Sequence, residues 1–434
     1  MLQGKMDVER RDAVYFNGII FLCCLVIGVL SMMIRYRAEE GNLGREARWQ
    51  QDINQIKNDL FKYHPRFSQS LEDMEEFDLR LTTLGENVDH LADREILAEL
   101  TQIISRDLGD SHSYISDFAT FYPLQFFCFS EGIFVKGSTA SYHTLIGKEL
   151  TGINGVALSD AISGLERFLN NDNTWIARDL LARALSDPHL LFIAGLSAHP
   201  SDEVQYLLDD EWINMMPVFR RSVNHKNTVY ARGDLDLGTD LSQYKSARFY
   251  WHTFLESNVC YLKINRCHDD PYLPPFAGYI EQLFAEIDRL GSPKLIIDLR
   301  DNSGGFPELI HSSLMAEIKA RPRLNNRDAL RVIIGRSTFS GGTCLAYDLK
   351  QDTNCLVIGE PSGQKLPFYA DPQIMRTRYM DIPWLCSTRF YDDNEDGLRI
   401  LAANIELFSP DIEVSLHARD WFEGHDSFLE EALR

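Results

Sequence analysis

PKLIIDLRDNSGG, Pro293 to Gly305, is an apolar run that ends in a glycine pair. Leu295, Ile296, Ile297 and Leu299 have no polar residue between them except Asp298. A short run of this kind suits a strand buried on both faces. The glycines after it let backbone N–H groups face a reacting atom with no side chain in the way. Two such donors would stabilise the oxyanion of an acyl-transfer intermediate.

Outward from this stretch the same rhythm repeats. Asn258 to Ile264 reads as a strand and Phe276 to Leu290 as a helix. Leu330 to Gly335 and Cys355 to Gly359 read as further strands. Strands alternating with helices give an α/β layout from Tyr250 onward, with helices packed over a sheet. After the strand ending at Gly335 comes GRSTFSGGTCLAYDL, Gly335 to Leu349. Ser340 lies at a strand-to-helix turn, with Leu345 to Leu349 beginning a helix. A serine there is exposed, and the helix N-terminus favours developing negative charge. A plain N-cap serine would read the same way in isolation. A third stretch, VIGEPSGQK, runs from Val357 to Lys365.

In this order, DLRDNSGG, GRSTFSGG and GEPSGQK resemble the catalytic domain of the C-terminal processing (tail-specific) serine proteases. That family usually shows DLRxNxGG, then R-x-[TG]-x-S-[AS], then GEPT or GERT followed by G-K. The resemblance implies a crotonase/Clp-protease-like α/β domain. It implies Ser340 as nucleophile, and Gly304 or Gly305 with the amide of Gly341 as the oxyanion hole. Lys365 falls where the Ser-Lys enzymes of the family carry their general base. A fourth stretch, DLGDSHSYI from Asp107 to Ile115, resembles the GDxHT segment of the same superfamily. In tricorn-like members a Ser-His pair there supplies the base, which implies Ser111 and His112. A distant Glu completes that set, and the acidic loop DDNEDG offers Glu395.

Two candidates for the base therefore stand. A free lysine must lose roughly 3 pKa units, about 4 kcal/mol, to act near neutrality, whereas histidine needs almost no shift. The position four residues after Lys365, usually Gln in the Ser-Lys enzymes, is Tyr369. Both points favour His112. A further departure is Gly341-Gly342 in place of the usual Ala or Ser, which could loosen the turn.

The rest of the chain divides as follows. Ile53, Ile56, Leu60 and Phe61 recur at helical spacing up to His64-Pro65, and a second helix runs from Asp93 to Leu108, closed by Gly109. Residues 45–115 thus read as a helical unit. YPLQFFCFSEGIFVKGS alternates apolar residues around a turn at Gly132, and Asn154-Gly155 suits a tight turn before another helix. Residues 120–170 resemble a PDZ domain, a module that adds a peptide as an extra strand. The expected boundaries are 116–205 for this unit, 206–249 for a connecting segment and 250–434 for the catalytic domain.

Val14 to Ile34, VYFNGIIFLCCLVIGVLSMMI, carries no charge and is long enough to cross a bilayer as a helix. A cleaved signal peptide is the alternative. Residues 1–44 are expected to be a transmembrane anchor and stalk, so that the protein is single-pass with its soluble domains extracytoplasmic. The 434 residues carry a net charge of −21, which argues against nucleic acid as a partner. Six cysteines outside the apolar span lack CxxC spacing, so neither a metal nor any other cofactor is expected, and the thiols read as buried. The expected activity is that of a serine endopeptidase acting on protein or peptide substrates. The alternative is a catalytically weak homologue that binds peptides or other ligands.

Overall fold

The computed structural model describes residues 43–116, 119–170, 172–220, 228–230, 248–391 and 405–434. Its frame is a six-stranded sheet. Tyr250–Phe254 pairs antiparallel with Cys260–Ile264. Leu295–Asp298, Leu330–Ile334, Leu356–Gly359 and Ile412–Glu413 then follow in parallel. The inner strands are mostly apolar because both of their faces are covered. Leu295, Ile297, Val332, Ile334 and Val357 point to one core, where Phe276–Leu290, Glu308–Lys319 and Gly341–Asp352 pack. Ile296, Ile333 and Ile358 point to the other, closed by Ala418–Glu423 and Ser427–Leu433. This is the period of two expected of a strand between two layers.

The DLR stretch also ties this frame together. Buried Asp298 accepts from the Tyr261 hydroxyl at 2.6 Å, Lys263 Nζ at 3.1 Å and Arg300 Nε at 2.9 Å. Arg300 reaches on to Asp426 at 2.7 Å, which caps the last helix. Burial alone would raise the Asp298 carboxyl, but Arg300 and Lys263 hold it below its ordinary value.

The helical region contains Arg45–Tyr63, Pro65–Gln69, Leu71–Glu86 and Asp93–Thr101. The last does not run on to Leu108 as a regular α-helix. Gln102–Asp107 is a π-helical turn, closed by Gly109 at φ 65°. This region shares its core with a strand from far along the chain, Pro383–Cys386, whose Trp384 and Cys386, with the preceding Ile382, are buried among the helices. Tyr114–Ile115 pairs with that strand. Asp52, fully buried, accepts from the backbone N–H groups of Tyr379 and Met380.

Between these parts lie Leu124–Cys128 and Ile133–Thr139, a hairpin that turns at Gly132 as expected. Leu150–Ile153 and Val156–Ala157 form a second hairpin, with Asn154 at φ 49° and Gly155 at φ 80°. Those angles make Asn-Gly the preferred pair. Val204–Leu208 pairs with Leu150–Ile153, so this strand runs across the expected boundary at 205.

The expectation of a single-pass membrane protein is corrected. Among the described residues no helix is long and apolar enough to cross a membrane. The apolar stretch on which that expectation rested, residues 14–34, lies outside them. The six described cysteines are buried free thiols, and burial pushes Cys267 and Cys386 up to about 12.

Candidate active site

Ser340 has φ 52° and ψ −130°, a backbone conformation that L residues rarely adopt. It stands immediately before the helix Gly341–Asp352. That helix starts four residues earlier than the sequence pattern suggests. The strain is held in place by its surroundings. Phe339 N–H donates to the Asn302 carbonyl at 2.9 Å, and Thr338 donates its hydroxyl to the Leu299 carbonyl at 2.9 Å. Both acceptors belong to the DLRDNSGG stretch, so the first two motifs are stitched into one loop pair.

The glycines make this contact possible. A Cβ on Gly341 would lie 2.3 Å from the Gly305 carbonyl oxygen, and one on Gly342 2.5 Å from the Asn302 carbonyl oxygen. Gly341-Gly342 therefore does not loosen the turn. It lets the helix start press directly on the neighbouring loop, where an Ala or Ser would collide. A Cβ on Gly304 would sit 2.7 Å from Ser340 Cβ and 3.2 Å from both Ser340 Oγ and Gly341 N. That is the space beside the serine hydroxyl, and Gly304 keeps it open.

The three glycine amides differ. Gly304 N–H donates to Asn302 Oδ1 at 2.9 Å, so it is occupied. The amides of Gly305 and Gly341 have no acceptor among the described contacts. The sequence left Gly304 and Gly305 as alternatives for one donor, and hydrogen bonding leaves Gly305 available.

His112 is 8 % exposed. Its ring lies against Phe339, the residue before Ser340, with centroids 4.6 Å apart, and stacks on Phe368 at 5.7 Å. Both ring nitrogens are buried without a well-formed hydrogen bond. Burial lowers the imidazole pKa, and the charges of Asp110, Asp172 and Asp371 with the Tyr369 backbone oppose this. Among the described contacts neither His112 nor Lys365 hydrogen-bonds to Ser340 Oγ. Such bonds are often formed only once substrate is in place.

Lys365 is engaged elsewhere. Its Nζ donates to Asp172 Oδ1 at 2.9 Å and to the Gly109 carbonyl at 3.2 Å. Ser111 donates its hydroxyl to Asp172 Oδ2 at 2.7 Å. Lys365, Asp172 and Ser111 thus form an ion-paired cluster behind the His112 loop. Glu395 lies outside the described residues.

Sequence reasoning passed over several residues. The Arg of GRSTFS and the Glu of GEPSG, Arg336 and Glu360, form a buried bidentate pair, with Arg336 Nε 2.7 Å from Glu360 Oε2. Arg336 also donates to the Cys128 carbonyl at 2.6 Å. These motif positions are architectural, joining the sheet to the first hairpin. Asp110 stood in the quoted DLGDSHSYI stretch without a role, and His64 gave no signal beyond ending a helix. Among the described residues no His, Cys, Asp or Glu group is arranged to hold a metal ion.

The frame and the serine turn define an α/β fold that solved structures share. Mature CPAF complexed with lactacystin is similar at a TM-score of 0.58 and 13 % identity, over 89 % of this chain and 97 % of that one. Mature CPAF by itself is similar at 0.55 and 14 %, over 89 % and 96 %. A photosystem II D1 C-terminal processing protease follows at 0.41 and 12 %, over 86 % and 94 %. At these identities the likeness to CPAF shows the fold of nearly the whole chain. No protein-family model and no curated protein matches the sequence.

Proposed function

We propose that the chain is a serine peptidase that cleaves protein or peptide substrates through an acyl-enzyme on Ser340, with His112 as general base. The observation that carries this reading is His112 itself. A buried imidazole whose ring nitrogens lack a well-formed hydrogen bond is costly to keep, and this one lies against the residue preceding a strained serine. Lys365 is the weaker candidate, because its Nζ is already engaged by Asp172 Oδ1 and the Gly109 carbonyl.

The proposed reaction begins at the serine. Ser340 Oγ attacks the scissile carbonyl carbon while its proton passes to a ring nitrogen of His112. The carbonyl electron pair moves onto oxygen, where the Gly305 and Gly341 amides donate to it. The C–N bond then breaks, and His112 gives its proton to the leaving amine. Water attacks the resulting ester with the same imidazole as base, and Ser340 leaves with a proton restored.

A fluorophosphonate probe tests the reading. Its phosphorus forms a bond to an activated serine oxygen, fluoride leaves, and the hydroxyl proton goes to the base. Labelling located at Ser340 and lost in Ser340→Ala is expected. A folded protein that takes no label would instead be the ligand-binding homologue.

A further inference from the structure

We infer that Asp110, fixed from its far side by His64, is the carboxylate that orients His112 and stabilises its protonated form during turnover. Both are positioning residues. The inference rests on His112 acting as the base. It assigns to this pair the orienting role that the sequence resemblance gave to Glu395.

Asp110 and His64 are 2 % and 1 % exposed. Asp110 Oδ1 accepts the backbone N–H of His112 at 2.9 Å. Oδ2 accepts the Ser113 hydroxyl at 2.5 Å and faces His64 Nε2 at 3.1 Å. The other His64 nitrogen, Nδ1, accepts the Arg66 backbone N–H at 3.2 Å, so the ring proton is on Nε2 and points at Asp110. The carboxylate thus has donors on both oxygens. Burial alone would raise its pKa, but the His64 hydrogen bond and the neighbouring imidazoles hold it below the ordinary value. It is an anion at neutral pH.

That anion faces His112. Asp110 Oδ1 lies 3.9 Å from His112 Nδ1. This is too long for a hydrogen bond but close enough for charge to act in a dry site. Two other carboxylates face the ring. Asp172 is paired with Lys365 and accepts from Ser111. Asp371 is exposed and accepts from the Tyr391 hydroxyl at 3.0 Å. Among the described residues Asp110 pairs with no lysine or arginine; it is buried, lies within 3.9 Å of Nδ1 and is the largest of the three charges acting on the imidazole. Ser340 gives its proton to Nε2 of His112, and Asp110 stays ionised beside Nδ1, as an orienting carboxylate does in a serine triad.

The full chain is labelled with a fluorophosphonate across pH, and His112 is titrated by NMR through its imidazole resonance, assigned by its loss in His112→Ala. Asp110→Asn should slow labelling of Ser340 by about 100-fold or more, and the His112 midpoint should move to lower pH. His64→Ala should slow labelling by about tenfold, whereas His64→Gln, which keeps a donor toward Oδ2, should restore most of the rate. The histidine pair carries the test if Asp110→Asn does not fold by circular dichroism. Labelling of the wild type together with unchanged rates and midpoints in the Asp110 and His64 variants would overturn the inference alone. A wild type that takes no label would overturn the peptidase reading and this inference with it.

Discussion

Replacing Gly341 with alanine adds one methyl group at the first turn of the helix behind Ser340. In an open helix interior the exchange would stabilise by about 1 kcal/mol, since glycine is the poorer helix former. Here the added Cβ would lie 2.3 Å from the Gly305 carbonyl oxygen, 3.0 Å from its carbonyl carbon and 3.0 Å from Pro307 Cδ. Two of these atoms are backbone, so relief requires the glycine loop or the helix start to move. Overpacking of this kind costs typically about 1–3 kcal/mol, enough to cancel the propensity gain and turn it negative. The larger effect falls on activity, because the residue that must yield is Gly305, a proposed oxyanion donor. Loss of one such donor costs about 10²–10³ in rate. Gly341→Ala is therefore expected to lower the denaturation midpoint slightly and to slow fluorophosphonate labelling of Ser340 by at least tenfold. The assay is the second-order labelling constant of the folded variant beside its urea midpoint. A variant that is more stable and labels at the wild-type rate would refute the close-approach reasoning.

Other expectations follow from buried charge. Arg336→Met leaves Glu360 buried without its bidentate partner and should cost about 3–5 kcal/mol, read as a fall in the urea midpoint. An unchanged midpoint would contradict an architectural role for the pair. The pH dependence of labelling should follow His112. Its pKa is lowered from 6.5, chiefly by burial, so the neutral base is present above that value and the rate falls only at lower pH. The same shift means the unfolded chain binds more protons below 6.5, so His112's contribution to stability is also lost as pH falls. A rate midpoint clearly above 6.5 would contradict this placement.

The sheet and the serine turn were legible because both rest on local chemistry. Buried strands must be apolar, and helix Phe276–Leu290 carries its own periodicity up to the αL residue Gly291. What the sequence hid depends on distant partners. Leu71–Glu86 passed unnoticed because its buried face is sparse, only Phe77, Leu81 and Leu84. Lys365 looked like a free base because its partner Asp172 lies 193 positions away. Gly341-Gly342 looked like a weakness because the Gly305 and Asn302 carbonyls that demand glycine lie on another loop. His64 could not be linked to Asp110 without the fold that brings residues 46 positions apart into one buried pair.

The most direct test of the account is fluorophosphonate labelling of His112→Ala beside Lys365→Met, with the site of labelling mapped to Ser340. The account predicts that His112→Ala abolishes labelling, while Lys365→Met keeps it to within about tenfold, because that lysine is ion-paired to Asp172. Full labelling in His112→Ala with none in Lys365→Met would contradict it.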